Sequence, residues 1–137
     1  MPVTRSNALR AQRPDLHRVP AERLILCIED DETQAQLRRE VLEKDGYSVL
    51  TADTPSHAIR LFRNNPVCLV VADHMLQGPI GTDLAHQLKL IKADVPVLLY
   101  SGSSPASMQN IDAFLHKGEP VYRFLAMIRS LVDRYCA

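Results

Sequence analysis

The sequence predicts an α/β fold, a small doubly wound parallel sheet, and three features carry that prediction. Short apolar, β-branched runs recur along the chain at Leu24–Ile28, Tyr47–Thr51, Val67–Ala72, Val95–Tyr100 and, more weakly, Ala113–His116. Helix-like segments lie between them, and strands alternating with helices make parallel βαβ units. The runs LILCI, CLVVA and VPVLLY are almost continuously apolar, as strands covered on both faces must be. An α+β domain with antiparallel hairpins would need tight turns, whereas connections of more than ten residues separate these runs.

Each helix has its own signal. Glu32–Asp45 sets Leu37, Val41 and Leu42 on one face and stops at Gly46, a good terminator. Thr54 followed by Pro55 reads as an N-cap with proline at the first helical position, leading into Ala58, Ile59 and Phe62. Leu84, Leu88 and Ile91 mark a third helix. Pro120 opens the last, where Val121, Leu125, Ile128, Val132 and Tyr135 keep a helical rhythm. Only eleven residues, SGSSPASMQNI, join the fourth strand to the fifth. A crossover with its own helix needs roughly 10–12 residues, so the helix there is expected to be short or missing.

Composition bounds the rest. The 137 residues are 46% hydrophobic and 23% charged, ordinary values for one globular domain. At this length about two thirds of the unfolded chain's surface is buried on folding. No apolar run approaches the ~20 residues that span a bilayer, and the first residues contain no apolar stretch resembling a signal peptide. Sixteen basic and sixteen acidic side chains cancel, which argues against nucleic acid as a partner. Residues 1–22, with Arg5, Arg10, Arg13 and Arg18 and three prolines, form a basic arm that builds no core, expected to be flexible or docked; residues 23–137 form the domain. Cys27, Cys68 and Cys136 are odd in number and widely spaced. That fits a reducing cytoplasm better than a disulfide framework or structural zinc. Cys27 and Cys68 read as small core residues, and Cys136 as a near-terminal thiol.

In such sheets the ligand site lies outside the carboxyl ends of the strands. There the first strand delivers Glu29, Asp30 and Asp31, the third Asp73, the fourth Ser101 and Gly102, and the fifth Lys117. Singly these are common features: Asp31 and Asp53 read best as helix caps or turn residues. Together they gather carboxylates that repel unless a cation separates them. A hard divalent ion with oxygen ligands, magnesium above all, answers that need. A carboxylate beside it can attack a phosphoryl group, with the ion and Lys117 neutralising the transferring oxygens.

The motifs LILCIEDDE, LVVADHM with the following GTDL, VPVLLYSG and AFLHK cover the domain. Together they resemble the receiver domain of two-component response regulators, of the single-domain chemotaxis type. The resemblance implies a flavodoxin-like sheet of order 2-1-3-4-5. It implies that Asp73 takes a phosphoryl group from a histidine kinase or phosphotransfer protein, with Mg2+ as cofactor. Asp30 would bind the metal directly, Glu29 through water, with Asp73 and the backbone carbonyl of Met75 completing the set. Ser101 would be the switch hydroxyl, Lys117 the phosphate-pairing amine, and Phe114 the aromatic that moves inward on activation.

Two departures stand out: Gly118 follows Lys117 where the family has proline, and the short link between the last two strands thins the usual signalling face. The expected function is a stand-alone cytoplasmic phosphoacceptor. It is no enzyme beyond its own magnesium-dependent phosphoryl transfer and autodephosphorylation, and it signals to a downstream protein by changed binding; its oligomeric state stays open. A pseudo-receiver whose output ignores phosphate, and a magnesium-dependent phosphatase, are the alternatives. His74 reads as a rim residue, since imidazole is a poor magnesium ligand; His57 and His116 have no evident partner.

Overall fold

The structure, a computed structural model, describes residues 23–74 and 78–136. The basic arm, Met75 and the chain's last residue lie outside them. Five strands, β1 (Leu24–Ile28), β2 (Ser48–Ala52), β3 (Val67–Ala72), β4 (Val97–Ser101) and β5 (Ala113–His116), pair in parallel in the order β2-β1-β3-β4-β5. Four helices accompany them: α1 (Glu32–Lys44), α2 (Pro55–Asn64), α3 (Gly78–Ile91) and α4 (Val121–Tyr135). Residues 102–112, between β4 and β5, contain turns and bends but no helix, so the expected loss is complete there and the fourth helix among the described residues is the one that follows β5.

Successive side chains of each strand feed opposite layers, as the pleat requires. Ile25, Cys27, Leu69, Val71, Leu98 and Tyr100 pack with Leu42 and with Phe124, Ile128, Leu131 and Val132 of α4. Leu26, Ile28, Val70, Ala72, Val97 and Leu99 pack with Ala58 and Phe62 of α2 and Leu84, Ala85 and Leu88 of α3. Two buried layers explain why the strand runs are continuously apolar. The helix starts follow their capping chemistry. Asp31 accepts the amide of Gln34 at 2.9 Å, the cap role that its residue type suggests, and Thr54 accepts that of His57 at 3.1 Å.

Three details differ from the sequence-based expectation. On α1 the inward position belongs to Arg38, which is buried, while Leu37 is 55% exposed. A step of one residue turns a helix by about 100°, and an electrostatic partner in the core claims the guanidinium. On α4 the buried residues include Phe124 and Leu131, and the flanking Val121 and Tyr135 stay exposed. The cysteines differ most: Cys68 and Cys136 are joined in a disulfide, their Cα atoms 5.7 Å apart, within the range a bridge needs. Spacing hides this, because only the return of α4 along the sheet brings the chain end beside the start of β3. Cys27 remains a buried free thiol, and among the described residues no helix is long and apolar enough to cross a membrane.

Candidate functional site

The ladder continues past the strand ends and holds their tips rigid. The amide of Glu29 donates to the carbonyl of Ala52 at 2.9 Å, that of Asp73 to Ile28 at 3.1 Å, and that of Lys117 to Ser101 at 2.9 Å. These bonds fix the backbone of every tip from which a functional side chain springs. They place Glu29, Asp73 and Ser101 in buried positions, each at most 4% exposed, whereas Asp30 faces solvent.

Asp73 stands at the centre. Its Oδ1 lies 2.8 Å from Nζ of Lys117, and its Oδ2 lies 2.7 Å from Nδ1 of His74. The other ring nitrogen of His74 lies 3.6 Å from Oδ2 of Asp30. Glu29 lies beside Asp73, within side-chain hydrogen-bond reach of it, and has partners of its own. Its Oε1 accepts from the guanidinium of Arg38 at 3.1 Å, with Lys117 at 3.7 Å, and its Oε2 accepts the amide of Asp31 at 3.1 Å. Burial pushes the Asp73 carboxyl up, but Lys117, His74 and Glu29 outweigh it and hold the group below the usual carboxylate range. Glu29 moves the other way: burial pushes it up, and the Asp31 amide and Lys117 only partly offset that and the charge of Asp73. Of the two buried acids, Asp73 is therefore the one that ionises readily. His74 is raised above the ordinary imidazole value by its hydrogen bond to Asp73.

Asp30, Asp73 and His74 can each offer one ligand atom, and these atoms lie within 4.8 Å of one another. Two carboxylates converging from neighbouring strand tips, one of them open to water, suit a divalent cation. Glu29, with both oxygens engaged, is outside this group, and Met75 is outside the described residues. Ser101 closes β4, the strand between β3 and β5, and its Oγ accepts the amide of Ser103 at 3.3 Å. Phe114 is half-buried on β5 against the layer formed with α2 and α3.

Arg38 is a functional neighbour that periodicity does not reveal. The available signal is a charged residue one step from an apolar face, nine positions after an acid at a strand tip. The histidines without evident partners have them: His57 lies 3.3 Å from Asp53, and His116 Nδ1 accepts the amide of Gly118 at 2.8 Å. That bond is one that proline could not make. Proline has no N–H to donate, and a Cβ at 118 would meet the His116 ring at 2.9 Å. The described peptide bonds are all trans.

Comparison with known proteins shows the family and the fold. Residues 25–128 match the family model described as the response regulator receiver domain. The cell cycle transcriptional regulator CtrA of Caulobacter vibrioides is 28% identical over 115 residues, 77% of this chain and 50% of that protein. The chain thus spans about half the length of the curated relatives it matches. Among solved structures, the non-phosphorylated HemR receiver domain of Leptospira biflexa is 32% identical with a TM-score of 0.68, covering 80% of this chain and 93% of that one. The Thermotoga maritima response regulator TrrA, solved in complex with Mg(2+)-BeF, shares the fold at a TM-score of 0.71 and 23% identity, covering 80% and 98%. Sheet order, the acids at its carboxyl edge and the family match converge, and the chain belongs to the receiver domains of two-component response regulators.

Proposed function

We propose that Asp73 is a phosphoacceptor charged by a phosphohistidine of a kinase or phosphotransfer protein, and that the charged form signals by altered affinity for a downstream partner. In the transfer an oxygen of the Asp73 carboxylate bonds to phosphorus as the N–P bond of the donor breaks, and the donor imidazole leaves with the electron pair. The observation that carries this reading is the 2.8 Å ion pair of Lys117 with Asp73 across the tips of β5 and β3. It holds the acid ionised, as a nucleophile must be, and sets a fixed positive charge where phosphoryl oxygens would arrive.

The remaining roles follow. Ser101, on the strand between them, donates its hydroxyl to a phosphoryl oxygen. Lys117 moves from carboxylate to phosphoryl, and Phe114 repacks with the β4–β5 edge. Asp30, Asp73 and the Met75 carbonyl would hold Mg2+, with Glu29 acting through water. A bound divalent cation supplies charge neutralisation on the transferring oxygens. Return to the resting state is attack of water on phosphorus, which regenerates the carboxylate and releases inorganic phosphate. A partner that bound both forms equally would sense nothing, so the repacked edge must differ in affinity.

A small-molecule phosphodonor with Mg2+ tests the proposal. One phosphoryl group should appear per chain, and none on Asp73→Asn or without the cation; equal labelling of Asp73→Asn would overturn it. The helix-free link at residues 102–112 favours one second reading, a module that signals without phosphate. A parent chain that takes no label under these conditions would decide for that reading.

A further inference from the structure

We propose that His74 is a nitrogen ligand of the cation site and makes it select a borderline first-row transition ion over magnesium; this rests on the reading of Asp30 and Asp73 as a divalent-cation site. Three observations carry it. First, the imidazole lies between the two acids, with Nδ1 at 2.7 Å from Asp73 Oδ2 and Nε2 at 3.6 Å from Asp30 Oδ2. Second, one atom from each of the three residues falls within a span of 4.8 Å, so a single ion can meet all of them with small side-chain rotations. Third, the neighbouring buried acid, Glu29, is not one of the three residues whose atoms fall within that span and already accepts from other donors. Glu29 spends Oε1 on Arg38 and Lys117 and Oε2 on the Asp31 amide. Among the described residues, the side chains that converge for direct coordination are therefore two carboxylates and an imidazole.

Donor chemistry turns that set into selectivity. Carboxylate and water suit magnesium, whereas imidazole adds affinity for the ions from iron to zinc and almost none for magnesium. Because His74 is more than half exposed on its side chain, it turns toward an incoming ion without disturbing the core. The ion replaces the contact between Nδ1 and Asp73 by coordination, and any proton displaced from the ring leaves to water. Asp73 remains on β3 throughout, paired with Lys117.

Cobalt(II) and magnesium are the probes, because cobalt reports its ligands by visible absorption and by paramagnetic shifts of coordinated imidazole protons. Affinities for both ions are measured on the full chain, on His74→Ala and His74→Gln, and on His57→Ala as a control, a half-buried histidine also paired with an acid. The expected result is a cobalt affinity lowered about tenfold or more in both His74 variants, with magnesium affinity nearly unchanged. Paramagnetically shifted imidazole protons should vanish with His74 and persist without His57. Cobalt binding insensitive to His74, or magnesium and cobalt weakened alike, overturns the inference while leaving the phosphoacceptor reading in place. If the parent binds neither ion, the cation site itself is refuted, and the Mg2+ requirement under Proposed function falls with it. Asp30→Asn should weaken both ions, which separates loss of the site from loss of its selectivity.

Discussion

Replacing Arg38 by methionine keeps most of the side-chain volume and removes the charge that faces Glu29. Breaking a buried pair by removing one partner costs about 3–5 kcal/mol. The lower figure applies here, because Lys117 still stands 3.7 Å from the same Glu29 oxygen. Arg38 also lies over the Tyr100 ring, 4.8 Å from its centroid, and methionine cannot supply the cation–π attraction that the guanidinium makes there. A loss of about 3 kcal/mol in a chain of this size lowers the melting temperature by about 10 °C. Its pH dependence is diagnostic. The Glu29 carboxyl sits above its ordinary value in the fold. Such a group contributes stability that is full below its unfolded-state pKa, ~4.3, and is lost as pH rises through the folded value. Removing Arg38 lifts the folded value further, so the deficit should be small near pH 4 and full at pH 7.5. Adding Glu29→Gln should recover at least half of it. Urea melts of parent, single and double variants at both pH values measure this. A deficit under about 1 kcal/mol at pH 7.5, one independent of pH, or strict additivity of the two changes would refute the reasoning.

Other consequences are simpler to check. Gly118→Pro removes the amide that His116 accepts and adds atoms where a Cβ would meet the ring at 2.9 Å; it should cost about 1–2 kcal/mol, and a neutral or stabilising result in urea would contradict this reading of position 118. The Cys68–Cys136 bridge spans 68 residues, so reduction should lower stability by about 4 kcal/mol on the loop-entropy account. Cys136→Ser should show the same loss and no further response to reductant. Burial pushes the Cys27 thiol up to about 12, so at pH 8 it has almost no thiolate. The unreduced native chain should therefore consume no thiol reagent, and the unreduced unfolded chain should expose a single thiol.

Much of the site was legible because strand ends are legible. An apolar run that stops at an acid, a serine or a lysine locates that residue at the edge of a parallel sheet, and five runs sufficed to place Glu29, Asp30, Asp73, Ser101 and Lys117. The resemblance supplied the sheet order that makes them neighbours. Arg38 and Phe124 were not legible, since helical periodicity cannot resolve which of two adjacent residues faces inward when one is amphipathic or the apolar stripe is broad. Arg38 is buried for an electrostatic partner, and hydrophobic patterns do not encode partners. The disulfide and the bond from Gly118 to His116 depend on tertiary return and on one rotamer, neither of which spacing reports. His74 was read by its poor match to magnesium, and its position between two acids makes that mismatch informative.

The central claim is that the Asp73 carboxylate, and no neighbour, carries the phosphoryl group. After labelling with a phosphodonor, borohydride reduction converts an aspartyl phosphate to homoserine at the modified position, and peptide mass spectrometry locates it. The account predicts homoserine at position 73 alone. Homoserine at position 30, or a borohydride-resistant phosphoryl group retained on His74, would contradict it.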